Sequence, residues 1–97
     1  MKLKDLSEFS QAERTEFNTV EKLIKHNDKE YHLEVISATE PLYNVPDHDF
    51  YAQAVVWDYE TTPKKIAYHT LFKQRLSPID ILTISTNIIK EPELFIK

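Results

Sequence analysis

The sequence predicts an α+β fold in the order α-β-β-β-α: a three-stranded antiparallel sheet with helices packed on one face. Three observations carry that expectation. A capped amphipathic stretch lies near the N-terminus, three alternating or β-rich runs follow, and a second capped stretch closes the chain. The 97 residues are expected to form a single small α+β domain over 1–97. A chain of that length buries roughly 60–65% of its unfolded surface and folds unaided.

The first helix is read from Ser10-Gln11-Ala12-Glu13, the pattern of a capping box, in which hydroxyl and carboxylate each satisfy a free backbone N–H. Phe17, Val20 and Ile24 follow at helical spacing, Leu23 widens the stripe, and His26-Asn27-Asp28 supplies turn formers. Tyr31-His32-Leu33-Glu34-Val35 alternates as a strand, turning Tyr31, Leu33 and Val35 to a core and His32 and Glu34 to water. Residues 39–49, with Pro41, Asn44, Pro46 and Asp47, read as a long connection.

Residues 50–59 and 66–72 are rich in β-branched and aromatic side chains and predict a hairpin. With Tyr59 opposite Lys65, the loop is Glu60-Thr61-Thr62-Pro63-Lys64 and paired residue numbers sum to 124. Ala52, Ala54 and Val56 then share one face, whose small side chains suit a packed helix. Tyr51, Gln53, Val55, Trp57 and Tyr59 share the other, opposite Lys73, Leu71, His69, Ala67 and Lys65. Ser77-Pro78-Ile79-Asp80 opens the second helix, with Ser at N-cap, Pro at N1 and an acid near the positive dipole end. The β-branched content of residues 81–89 leaves a strand as the alternative to this helix; Glu91-Pro92 ends it, and Leu94-Phe95-Ile96 packs down or adds a short edge strand.

Composition removes several function classes. There is no glycine, where average usage supplies about seven. Glycine-rich phosphate loops and the dinucleotide fingerprint are therefore absent. There is no cysteine, which excludes thiol catalysis, disulfides and thiolate zinc sites and suits a reducing, cytoplasmic setting. Met1-Lys2-Leu3-Lys4 begins like a signal peptide, but Asp5, Ser7 and Glu8 interrupt any apolar core. No apolar run has the length of a membrane span, so no membrane partner is expected.

Net charge is −4. Residues 61–79 nevertheless hold Lys64, Lys65, Lys73 and Arg75 with no acid, and the remainder holds eight bases and sixteen acids. An acidic body with one basic segment disfavours general nucleic-acid binding and suits docking of an acidic partner. Lysines on a hairpin edge also guard against aggregation.

Asp47-His48-Asp49 is the nearest approach to a metal motif, but adjacent residues seldom converge on one ion, and a solvated loop is the simpler reading. No nucleophile elbow or carboxylate pair stands out. No catalytic residue, metal or cofactor is expected.

The most suggestive group is the sheet face bearing Tyr51, Val55, Trp57 and Tyr59, fringed by Lys65, His69, Lys73 and Arg75. Tyr and Trp combine apolar area with a polar tip, as interfaces favour. The competing reading makes Trp57 a core residue, covered by residues 39–49 or by Leu94-Phe95-Ile96. The α-β-β-β-α order resembles that of the double-stranded RNA-binding domain, which implies RNA contact from the start of the last helix. The corresponding residues here, Ser77-Pro78-Ile79-Asp80, lack that family's basic cluster.

The sequence therefore points to a non-catalytic protein-binding or regulatory module, similar in type to small accessory or inhibitory proteins of phages and mobile elements. Tyr51, Trp57 and Tyr59 are its expected anchors, and Lys65 and Lys73 its rim charges. The partner is another protein or, in a symmetric dimer across the same face, a second copy.

Overall fold

The computed structural model describes residues 2–96. The capping box forms as expected: the Ser10 hydroxyl accepts from Glu13 N at 3.2 Å, and the Glu13 carboxylate accepts from Ser10 N at 3.0 Å. The helix it starts, α1 (Gln11–Thr15), lasts little more than one turn. Strand β1 (Asn18–His26) follows and pairs antiparallel with β2 (Lys29–Ser37). This corrects the long first helix. Val20 and Ile24 satisfy helical i, i+4 spacing and even-numbered strand alternation equally well. Asn27 and Asp28 decide between them, taking φ of 52° and 61° in a two-residue turn between His26 and Lys29. That positive-φ pair is the geometry of a hairpin, and Asn and Asp are the residues that tolerate it when glycine is missing.

The expected unstructured connection contains a second hairpin, β3 (Tyr43–Val45) with β4 (His48–Phe50). Pro46 and a positive-φ Asp47 turn it, the Pro-then-left-handed order of a type II turn. Strands β5 (Ala52–Asp58) and β6 (Lys65–Phe72) complete a four-stranded antiparallel sheet in the order β1-β2-β5-β6. The sheet thus has four strands rather than three, and one long helix rather than two. The α-β-β-β-α order behind the likeness to the double-stranded RNA-binding domain is not the order of this chain.

The register summing to 124 holds from Ala52↔Phe72 to Val56↔Tyr68. A bulge between Val56 and Trp57 then moves the pairing by one residue, to Trp57↔Ile66 and Asp58↔Lys65. Helix α2 (Pro78–Lys90) starts as expected, the Ser77 hydroxyl accepting from Asp80 N at 3.1 Å and Pro78 in the first turn. No described helix is long and apolar enough to cross a membrane.

Both sheet faces are covered. Ala52, Ala54 and Val56 share one core with Leu33, Val35, Ile81 and Ile88 on the α2 side of the sheet, as their parity requires, while α2 itself lies over β1 and β2. Ile96 seals the same core, and Phe95 meets Tyr68 edge-on at 5.1 Å. The opposite face, read from the sequence as either an open aromatic surface or a covered one, is closed by the N-terminal segment through Leu3 and Phe9 and by Leu42 and Tyr43 of the hairpin region. Burying two faces explains why all seven residues of β5 are buried.

Candidate functional site

The N-terminal segment is pegged to the sheet by polar contacts. Lys4 N donates to the Tyr43 hydroxyl at 3.0 Å, Tyr43 donates to the Gln53 side-chain oxygen, and Gln53 Nε2 returns to Lys4 O at 2.8 Å. Leu6 N and Trp57 Nε1 both donate to Glu34 Oε1, at 3.0 and 3.1 Å. Glu34, expected in water, is therefore a buried acceptor. Burial raises its pKa above the ordinary value, the bond from Leu6 opposes that rise, and the Asp5 charge adds to it. Lys64 clamps the segment from the β5–β6 loop, 2.7 Å from Asp5 and 3.1 Å from Glu8. Burial presses the Asp5 carboxyl upward, but Lys64, Ser7 and Tyr59 outweigh it and hold it below its ordinary value.

This cover changes the availability of the expected contact residues. Val55 is fully buried and Trp57 is 3% exposed, so neither forms part of an open aromatic face. The core reading of Trp57 is correct in outcome and half correct in agent. Residues 39–49 contribute Leu42 and Tyr43, but Leu94-Phe95-Ile96 serves the opposite face and the N-terminal segment does the rest. Tyr59 is partly exposed. Its ring meets His32 at 4.3 Å and its hydroxyl donates to Asp5 at 3.2 Å, with burial followed by the Glu34 and Asp5 charges raising its pKa. Tyr51 is half-buried with the Arg75 guanidinium 5.8 Å from its ring, and Lys73 is exposed beyond the end of β6.

Three of the expected residues do converge. Trp57, Lys65 and His69 line a groove of about 640 Å³ between the N-terminal segment and β6. Leu3, Ile66 and Leu71 extend its apolar lining, and Lys2, Lys64 and Glu8 stand at its rim. Lys64 lies over the Trp57 ring, 5.4 Å from its centroid, so a cation caps the face of the indole. Strand β6 is an edge of the sheet, which leaves one row of its backbone groups unpaired by other strands. Tyr51 and Lys73 lie outside this groove.

Leu3, Lys64 and Ile66 were missed as site residues because each depends on a fold-back invisible in local pattern. Only Leu3, Leu6 and Phe9, repeating every third position, hinted that the first residues pack on something. Asp47-His48-Asp49 spans the β3–β4 turn with its side chains exposed. Among the described residues no three His, Cys, Asp or Glu side chains gather as metal ligands would. Compared with known proteins, the chain matches no family model, no curated protein and no solved structure.

Proposed function

We propose that the chain is a non-catalytic protein-binding module of regulatory type, which takes an acidic, extended segment of its partner along β6. The groove between the N-terminal segment and β6 is the observation that carries this reading. It joins an apolar floor, a margin where Lys2, Lys64 and Lys65 outnumber the carboxylates of Asp5 and Glu8, and an edge strand able to pair with an added strand. Main-chain pairing supplies affinity in such a mode, and the side chains beside the edge select the sequence. Lys65 and Lys2 steer acidic residues into register, while Ile66 and Leu71 accept apolar ones between them.

A displayed library of short random peptides tests the proposal directly. Enrichment of peptides alternating acidic with apolar residues is expected. Lys65→Glu should remove the acidic preference, and Ile66→Asp should lower affinity by roughly tenfold or more. Enrichment without acidic bias, or binding indifferent to both substitutions, would refute it.

A further inference from the structure

We propose that the chain forms a symmetric dimer through the free edge of β1, with the outer flank of α2 packing across the same two-fold axis. This surface lies at the opposite edge of the sheet from the β6 groove and does not depend on it.

Strand β1 is nine residues long and pairs with β2 without a break from Asn18↔Ser37 to His26↔Lys29. A two-residue hairpin turn makes His26 and Lys29 a hydrogen-bonded pair, so every second residue back to Asn18 directs its backbone to β2. Thr19, Glu21, Leu23 and Lys25 consequently direct their N–H and C=O groups outward, and their side chains share one face. Leu23 is 60% exposed, a large apolar group between two exposed charges. Among the described residues neither Glu21 nor Lys25 makes an ion pair.

The order Glu-x-Leu-x-Lys is complementary to itself when reversed. In an antiparallel β1–β1 pairing centred on Leu23, each Leu23 meets its copy and each Glu21 stands opposite Lys25 of the second copy. Opposite charges facing across strands stabilise pairing, and like charges oppose it. Moving the centre to Lys22 would set two ammonium groups face to face, so the charges also select the register. About six backbone hydrogen bonds form at the joint, and the two sheets become one of eight strands.

Helix α2 supplies an independent observation. Ile81, Ser85 and Ile88 are buried toward the sheet, yet Ile79 is 74% and Leu82 59% exposed, and Ile89 is exposed beside them. With Thr86 these residues repeat at 3-4-3 spacing, the seam of a helix that packs on another helix. A helix serving only the sheet needs an apolar arc of about 100°, and this one carries roughly twice that. The helix lies over β1 and β2, the short turn Pro92–Leu94 after it also touches β1, and Phe95 then reaches across to Tyr68 of β6. The right-handed winding that aims Ile81 and Ile88 at the sheet turns Leu82 and Ile89 toward the β1 edge. A two-fold axis normal to the sheet keeps both helices on one face. Strands about 4.8 Å apart then set the helices about 10 Å apart, a normal packing distance.

Sedimentation velocity from micromolar to millimolar protein should show a reversible dimer. Lys25→Glu should raise its dissociation constant on the order of tenfold, by setting acids against Glu21. The double variant Glu21→Lys, Lys25→Glu should restore the dimer to within a few-fold, a rescue specific to this register. Because the chain has no cysteine, Leu23→Cys should give a single disulfide-linked dimer on mild oxidation. All these positions are exposed, and circular dichroism checks that each variant is folded. A wild-type monomer throughout the range would overturn the proposal, as would a dimer unmoved by Lys25→Glu or not rescued by the double change.

Discussion

Glu34 is a buried carboxylate whose environment links the stability of this molecule to pH. Its raised pKa means that the folded protein holds that proton more tightly than the unfolded chain does. The associated stabilisation is complete below the ordinary value of 4.5 and disappears as pH climbs through the folded value. Glu34→Gln keeps an acceptor for Leu6 N and Trp57 Nε1 without a buried charge. It should therefore stabilise the protein at neutral pH by about 1 kcal/mol. Urea unfolding at pH 5 and pH 8 should show the variant's advantage widening with pH, and an equal difference at both would contradict it. Asp5 acts in the opposite sense. Its lowered pKa gives stability that is present above the ordinary carboxylate value and lost as pH falls through the folded one. Removing its clamp by Lys64→Met leaves the Asp5 carboxylate without its cation and should cost about 1 kcal/mol after solvent screening, read from the urea midpoint.

At the scale of elements, the turns and caps are where local chemistry is decisive. Asp28 holds φ of 61° without being glycine, so Asp28→Gly should stabilise the first hairpin by about 0.5–1 kcal/mol in thermal unfolding. Ser77→Ala removes the acceptor for Asp80 N and should cost about 1 kcal/mol, again in thermal unfolding. The two capping boxes also show the limit of such signals. Both formed as their residues require, but a cap specifies where a helix begins and not how far it runs. After Ser77, Ile81, Ser85 and Ile88 find the sheet and the helix continues for 13 residues. After Ser10, the chain gains more by pairing β1 with β2 than by extending α1, and propensity yields to the ladder.

The whole molecule is a sheet between two unequal covers, a helix with its tail on one side and a pegged N-terminal segment with a small hairpin on the other. Trp57 is the sole tryptophan and lies beneath the second cover, so its emission reports whether that cover is in place. Deleting residues 2–9 should shift the emission to the red, increase dye binding to exposed apolar surface, and weaken unfolding cooperativity. Unchanged emission would mean that other residues shield the indole. The same cover builds the β6 groove, because Leu3 and Lys2 form one wall.

Local patterns were enough for the alternation of β5 and β6, the side of the sheet that the small residues of β5 face and most of their register, because strand parity depends only on neighbouring residues. The sites of both caps were equally legible, being contained in four consecutive positions. The fourth sheet strand, the burial of Glu34 and Trp57 and the place of the groove were settled by contacts between segments far apart in the chain. Burial is a property of what comes to lie on a surface, and no local spacing records that Leu3 and Phe9 return across β5.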